Sequence, residues 1–227
     1  MKKIILIAIS LVFTTQIHSQ EMKKDYIGGH IGMTNSKIKG GSGFLITNDW
    51  KSNITFGFSY QHYFSNFFGI ETQLNYLNIG TGYKDVSGDA INDSSNKIGF
   101  KTNLEYINVP VIAILSPFKT DYFYLSGGFY ISNLISAKHE GNLGAYPFLT
   151  FSSDKQLKDG LNKWDYGSVV GIGSKINFNE NVSLGIDLKY NYSFIDINKS
   201  VPNDDNNYTN KYISINFSLR YKLKNQK

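Results

Sequence analysis

The chain has 227 residues, of which 15% are aromatic, 18% are charged and none is cysteine. This composition excludes a disordered chain, disulfide bonds, thiolate catalysis and a lipoprotein anchor, and a mean hydropathy of −0.26 without long apolar runs in the body excludes a multi-helix membrane protein. The formal net charge of +5 is weak evidence for nucleic-acid binding, because part of it lies in a segment that we expect to be removed.

The N-terminus predicts a secretory signal peptide over residues 1–19. Lys2 and Lys3 form a short cationic region, residues 4–13 are apolar, and a polar stretch follows that ends at Ser19. This order is typical of exported proteins, and the apolar run is too short to span a bilayer, which needs about 20 residues. We expect a mature domain at 20–227, cleaved at Ser19 or one residue away, with a net charge of +3 after Lys2 and Lys3 are lost.

The mature sequence alternates between apolar and polar residues with a period of two. The alternation is clearest over 182–195, where the even positions are apolar or aromatic and the odd positions are polar. Successive side chains of a strand point to opposite faces, so this pattern predicts one apolar and one polar face. We predict eight strands, in chain order at 26–34, 52–64, 67–80, 99–115, 121–137, 163–177, 181–195 and 210–223. Because proline cannot donate to a ladder, Pro110 predicts a bulge or register change.

The connections between these strands alternate between long and short. The short ones lie at 65–66, 116–120 and 178–180, and the long ones lie near 35–51, 81–98, 138–162 and 196–209. This sorting is typical of membrane barrels, which have short periplasmic turns and longer external loops. We expect an all-β fold, an eight-stranded antiparallel up-and-down transmembrane β-barrel with four long external loops, three short periplasmic turns and both mature termini in the periplasm. Additional strands at 43–46 and 146–151 stay open as an alternative.

Charged residues on these strands are expected to face the interior of the barrel. A lysine or arginine on the lipid face near the midplane costs about 2–4 kcal/mol, and the interior of an eight-stranded barrel is filled by side chains. Buried charges must be paired, so we expect Asp187 and Lys189 beside Arg220, and Glu71 beside two charges of the fourth strand. The predicted lumen charge network comprises Glu71, Lys101, Glu105, Asp165, Lys175, Asp187, Lys189 and Arg220. Interior glycines at 167, 171 and 173 are expected to make room for long side chains.

Aromatic residues cluster near both ends of the predicted strands, as expected of the girdles at the two membrane interfaces. Those at the short-turn end are Phe64, Phe67, Phe68, Phe118, Tyr122, Phe178 and Tyr221. Those at the long-loop end are Tyr76, Tyr83, Trp164, Tyr192, Phe194 and Tyr212. The alternative interpretation is that aromatic residues are simply frequent in strands.

Residues for catalysis or metal binding are sparse, and we expect neither a cofactor nor enzyme activity. His30 is expected to fill space in the lumen, and His139 in the third long loop is the best candidate for a catalytic site at the rim, although a surface histidine is the preferred interpretation. Several loop aspartates are candidate Ca²⁺ ligands but lack the EF-hand spacing, so solvated loops are preferred. They are Asp85, Asp89, Asp93, Asp204 and Asp205.

Four segments carry a resemblance to a known family. They are EYINVPV at 105–111, LSGGFYI with LISAK at 125–138, DYGSVVGIG at 165–173 and the strand at 184–195. Together they resemble the strands of the PorT-like outer-membrane β-barrel family, over the whole mature chain. The chain departs from that family in lacking a basic residue at 111–114 and a terminal aromatic residue, so that Tyr221 or Leu223 is expected to serve in membrane insertion.

The resemblance implies an outer-membrane location and, as in some members, a link to protein secretion. We expect a structural or interaction scaffold of the cell envelope, in contact with outer-membrane lipid, lipopolysaccharide and other envelope or secretion proteins, and with no nucleic acid as partner. Two alternatives stay open. One is a narrow passive channel, which the filled lumen disfavours, and the other is a lipid- or peptide-modifying enzyme with a site at the rim.

Overall fold

The computed structural model describes residues 24–39, 50–82, 99–117, 122–143, 146–152, 158–199 and 208–224. The predicted signal peptide at 1–19 and the loop segment at 43–46 lie outside these ranges, so both stay predictions. Within the described ranges, no helix is long and apolar enough to cross a membrane.

Strands make up almost all of the described residues. They are β1 Lys24–Lys39, β2 Lys51–Tyr63, β3 Phe68–Gly82, β4 Gly99–Leu115, β5 Phe123–Leu143, β6 Tyr146–Ser152, β7 Trp164–Asn177, β8 Val182–Ser193 and β9 Thr209–Lys222. Eight of them correspond to the predicted strands, with ends that differ by a few residues. The ninth, β6, occupies the loop segment that the sequence left open at 146–151.

Eight strands close into an antiparallel barrel. The order around the wall is β4-β3-β2-β1-β9-β8-β7-β5, and the pairing of β4 with β5 closes the ring. β6 stays outside the ring, because it pairs only with the last residues of β5, from Glu140 to Leu143. The predicted eight-stranded antiparallel barrel is therefore confirmed, and β5 with β6 continues its wall beyond the long-loop end.

The predicted register change at Pro110 is wrong. On both sides of this residue β3 and β4 keep one register, with Thr72 opposite Val111 and Asn75 opposite Asn108. The ladder pauses between these pairs, opposite Pro110, because proline has no N–H to donate. A single missing donor therefore interrupts the hydrogen bonding without shifting the strand.

The irregularity of β4 lies elsewhere, at its pairing with β5. Glu105 is opposite Ser136, whereas the next residue, Tyr106, is opposite Leu134. Ile135 is the extra residue of this bulge, and its side chain is exposed. Because of this bulge, the inward residues of β5 lie opposite inward residues of β4 on both sides of Ile135.

An apolar band surrounds the outside of the barrel. On β8, Leu184 and Ile186 are each 51% exposed, whereas Asp187 and Lys189 on the other face are 2% and 5% exposed. The same band continues around the wall through Ile31, Met33, Phe56, Phe58, Leu74, Val111, Leu125, Phe129, Val170, Ile172, Ile215, Phe217 and Leu219. Towards the long-loop end the outward residues become polar, as at Asn35 and Lys101. The apolar band marks the surface that a bilayer would cover.

Aromatic side chains border this band, with one correction to the prediction. Phe64, Tyr122, Phe178 and Tyr221 are exposed at the short-turn end, and Trp164 and Phe194 are exposed at the other end. Tyr212 is only 3% exposed, because the even positions of β9 face the lumen, so its assignment to the outer belt is wrong. Tyr83 and Phe118 lie outside the described residues.

Candidate functional site

The interior of the barrel holds the candidate site, because the charged residues of the spanning strands lie there. The odd positions of β8 and the even positions of β9 alternate inward with period two, which buries Asp187, Lys189 and Arg220. Glu71 on β3 and Asp165 and Lys175 on β7 are also buried. The structure divides these residues among four separate clusters.

Arg220 is the centre of the first cluster and is only 1% exposed. Its Nη2 donates to Asp187 Oδ2 at 2.9 Å and to the Tyr124 hydroxyl at 2.8 Å, and that hydroxyl donates to Asp187 Oδ1 at 2.5 Å. β5, which carries Tyr124, is separated from β9 by two strands in the wall, so these contacts cross the lumen. A closed triangle of charge-assisted hydrogen bonds thus ties three strands together.

Glu71 and Lys189 form the second cluster. Lys189 Nζ lies 3.5 Å from Glu71 Oε1, which joins β8 to β3 across the barrel. The side-chain amides of Gln61 and Gln73 also donate to the Glu71 carboxylate, so the anion is held by one cation and two neutral donors. Both ions are buried, and this ion pair closes the middle of the lumen.

Asp165 forms a third cluster nearer the long-loop end. The hydroxyl of Ser193 donates to Asp165 Oδ1 at 2.5 Å, and the Asn210 amide donates to Oδ2 at 2.9 Å. The same amide lies 3.4 Å from the Tyr106 hydroxyl. Neutral donors therefore hold this carboxylate, and the other predicted charges belong to other clusters.

Lys175 lies in an aromatic cluster at the short-turn end. Its Nζ is 5.2 Å from the ring centre of Tyr26 and 5.3 Å from that of Tyr63. The two rings meet edge to face at 5.8 Å, and Ile114 packs with them. Cation–π contacts stabilise a buried ammonium. Lys175 and the aromatic side chains around it fill this end of the lumen.

Lys101 and Glu105 do not join the lumen, and the prediction that they pair with Glu71 is wrong. The odd positions of β4 face outward, so Lys101 is exposed and Glu105 is half-buried. The register between β3 and β4 places Glu71 opposite Ile112. Sequence alternation assigns residues to a face, but it cannot give the offset between neighbouring strands.

An apolar core at the long-loop end was not predicted. Leu104 and Tyr106 are fully buried in the lumen there, while the outward neighbours Lys101 and Asn103 are polar. The core consists of Leu77, Ile79, Leu104, Tyr106, Leu134, Ala137, Ile197 and Tyr212. One feature of the sequence could have predicted this core. Along β4 the apolar residues change from the inward face, near the long-loop end, to the outward face within the apolar band. This core caps the lumen above the apolar band.

Between the cap and the aromatic cluster, little space is left. The central cavity has a volume of about 20 Å³, and His30, Asn75, Asn108, Lys189 and Asn216 are among its lining residues. Such a volume holds about one water molecule. Across the described residues the lumen is thus a packed polar core with an apolar cap.

The interior glycines of β7 make room for large residues, as predicted. An ideal Cβ built at Gly173 overlaps the ring of Tyr124 and lies 2.5 Å from its hydroxyl. We expect Gly173→Ala to displace this ring, break its bonds to Asp187 and Arg220, and lower the free energy of unfolding by about 1–3 kcal/mol. Urea unfolding in lipid vesicles measures the change.

Gly127→Ala is the matched control for this variant. Its added Cβ would meet only Val169 O, at 3.9 Å, so we expect a change within about 0.5 kcal/mol. Equal stability of the two variants would contradict the packing of Tyr124 against Gly173.

The structure describes only some of the other candidate residues. His139 lies in β5 opposite Thr102 rather than in a loop, and His62 Nδ1 lies 2.6 Å from Asp25 Oδ1 at the short-turn end. In the part of the chain that the structure describes, no three His, Cys, Asp or Glu side chains are grouped to hold a metal. The candidate Ca²⁺ ligands Asp85, Asp89, Asp93, Asp204 and Asp205 lie outside the described residues.

Comparison with known proteins gives a family match. A family model described as an outer membrane protein beta-barrel domain matches residues 18–199. No curated protein matches the sequence. Among solved structures, the chain is similar to Ail, the attachment invasion locus protein of Yersinia pestis, at 15% identity and a TM-score of 0.46, covering 89% of this chain and 100% of that one.

Two further structures show the same level of similarity. Neisserial surface protein A has 14% identity and a TM-score of 0.43, covering 89% of this chain and all of its own. Outer membrane protein W of E. coli has 12% identity and a TM-score of 0.41, covering 90% of this chain and 100% of that chain.

Proposed function

Because the chain belongs to the outer membrane protein β-barrel domain family, we propose that it is a non-catalytic scaffold that anchors an external β-structure in the outer membrane. The observation that carries this proposal is the filled lumen. The Lys189–Glu71 ion pair and the contacts of Tyr124 with Arg220 and Asp187 cross it, an apolar core caps one end, and a central cavity has a volume of about 20 Å³. Within the described residues, this packed interior supports a scaffold, because side chains fill the inside of an eight-stranded barrel.

The orientation is part of the proposal. The predicted signal peptide supports export through the Sec pathway, and an even number of wall strands leaves both ends of the mature chain at the short-turn side, which we assign to the periplasm. The long-loop side then faces outward. There β5 runs 21 residues, pairs with β6 at its end and carries the wall beyond the apolar band.

We assign the contacts of this scaffold to the cell envelope. Its apolar band would face outer-membrane lipid, its rim would face lipopolysaccharide, and its external sheet would contact another envelope protein. The motifs at 105–111 and 165–173 support a PorT-like assignment within the wider family, and with it a role beside a secretion apparatus. Nucleic acid has no part in this proposal.

Two measurements on the purified barrel separate the scaffold from a channel. In planar bilayers we expect no conductance steps from the wild-type chain, because packed side chains occupy the lumen along its length. Ion conductance by wild type would overturn the scaffold proposal in favour of a narrow channel.

The second measurement tests the external sheet. We expect crosslinking in native outer membranes, followed by extraction in mild detergent, to capture one envelope protein at fixed stoichiometry. A variant with 141–152 replaced by a short Gly-Ser linker should keep the heat-resistant gel mobility of a folded barrel and lose this partner. Equal capture by both chains, or capture of nothing by wild type, would contradict the proposal.

A further inference from the structure

The seam between β1 and β9 joins the first and last strands, and two lysines lie opposite each other on its outer face. Lys37 pairs with Lys211 in the register of these strands. Directly opposite residues have Cβ atoms about 4.5–5.5 Å apart on the same face of a sheet. The seam therefore places two lysine side chains next to each other at the long-loop end of the apolar band, and each ammonium group turns to the ring on its own side.

Aromatic rings flank both lysines. Lys37 Nζ lies 5.0 Å from the ring centre of Trp50, and Lys211 Nζ lies 4.8 Å from that of Tyr192. Tyr192 is the residue of β8 directly opposite Lys211. Across neighbouring strands the outer face thus presents an aromatic ring, two cations and a second ring. Trp and Tyr are enriched at the headgroup level of membranes, so the two cations lie where lipid phosphates lie.

An apolar groove crosses the same seam near the middle of the band and extends over β9 and β8 to β7. Its volume is about 590 Å³, and its outward-facing apolar lining residues are Ile31, Ile176, Leu184, Ile186, Phe217 and Leu219. Gly29 also lines it, whereas the outward positions beside it on β1 carry Ile27 and Ile31. An ideal Cβ at Gly29 meets only Gly57 O, at 3.8 Å. The outer surface therefore has room for a larger side chain at position 29.

The spacing of the two features fits one lipid. Lys37 and Gly29 are eight residues apart on β1, which corresponds to about 26 Å along the strand. With a strand tilt of about 40°, this gives a depth of about 20 Å below the lysines, or half of a bilayer about 40 Å thick including its headgroups. An acyl chain that hangs from a headgroup at the lysines therefore reaches the groove without crossing the midplane.

We propose that this seam binds one molecule of lipopolysaccharide, with a phosphate between Lys37 and Lys211 and an acyl chain over Gly29. Both lysine side chains are long enough to swing from their rings towards one anion between them, and a phosphate there would accept a charge-assisted hydrogen bond from each. The inference rests on the proposed orientation, in which the long-loop side faces the outer leaflet. It names the lipid partner of the scaffold and assigns its contact to one seam.

The test measures lipopolysaccharide bound per folded barrel in mild detergent, titrated with purified lipopolysaccharide. We expect saturation at one tightly held molecule for wild type. Lys37→Gln with Lys211→Gln should weaken binding about 30-fold, since each lysine near an anionic lipid surface contributes a factor of about five. Gly29→Leu should also weaken binding while the barrel stays folded, because its side chain would occupy the groove.

Each variant has a matched control on another part of the wall. Lys101→Gln removes an exposed outward cation away from the seam, and Gly127→Leu fills an outward glycine of β5 whose Cβ would meet only Val169 O, at 3.9 Å. Both should bind like wild type. Equal weakening in controls and seam variants, or wild-type binding by the seam variants, would overturn the proposal.

A competition experiment identifies the source of the phosphate. Mixed micelles of phosphatidylglycerol should displace lipopolysaccharide only at large excess, because a phosphodiester offers the two lysines one negative charge and a phosphomonoester of lipopolysaccharide offers nearly two. Displacement at equal concentration would show that the site takes phospholipid and that the lipopolysaccharide assignment is wrong. Since this assay uses neither conductance nor a protein partner, its failure leaves the scaffold proposal standing.

Discussion

Replacing Arg220 with methionine is expected to lower the free energy of unfolding by about 3–5 kcal/mol. The guanidinium is 1% exposed and holds the carboxylate of Asp187 at 2.9 Å and the hydroxyl of Tyr124 at 2.8 Å. Its removal leaves Asp187 as a buried anion beside a hydroxyl, and the cost comes from that unpaired charge more than from the lost attraction. Urea unfolding of the barrel in lipid vesicles gives the value directly.

A double variant separates the two contributions. Arg220→Met combined with Asp187→Leu removes both charges, and we expect it to recover most of the lost stability, because a buried ion pair and an apolar pair of similar volume have similar free energies. Lys101→Met, which removes an exposed cation of β4, should change stability by less than about 0.5 kcal/mol. An Arg220→Met barrel within about 1 kcal/mol of wild type would contradict the closed triangle of hydrogen bonds.

Ile186→Arg is the second substitution with a large expected effect. Ile186 is 51% exposed on the apolar band, near the middle of β8. A charge at that depth costs about 2–4 kcal/mol in a membrane barrel, so Ile186→Arg should lower the folded fraction in the outer membrane and the urea midpoint in vesicles. Heat-resistant gel mobility reports the folded fraction.

The control places the same side chain outside the band. Asn35→Arg adds an arginine on the outer face of β1, two residues beyond the last apolar position, Met33, and should fold like wild type. Asp187→Asn tests the opposite face, since it changes a lumen residue and leaves the lipid surface intact. If Ile186→Arg assembled as well as Asn35→Arg, the assignment of this face to lipid would be wrong.

The period-two pattern predicted most of the wall because the environment of each face differs sharply. On β8 every second residue must suit lipid and the others must suit a packed polar interior, so the sequence carries the assignment residue by residue. The loop lengths then predicted the up-and-down order. β6 was only an open alternative, because a seven-residue strand with a proline carries a weak pattern.

The candidate site was harder to predict because it depends on contacts between distant strands. Lys189 and Glu71 are 118 residues apart, and they meet only because the ring closes. Alternation placed Asp187 and Arg220 on the inner face, but it could not show that Tyr124 from β5 would complete their cluster. It also missed Lys101, because β4 reverses its apolar face where the wall leaves the band.

The position of Arg220 on β9 has a consequence for the assembly of the barrel. Asp187 on β8 receives its guanidinium only when β9 lies between β8 and β1. A truncated chain that ends before β9 retains that anion and loses the closing seam, so the same interior that stabilises the complete barrel penalises an unfinished one. We therefore expect a chain without β9 to assemble poorly, because the polar lumen is complete only when β9 closes the ring.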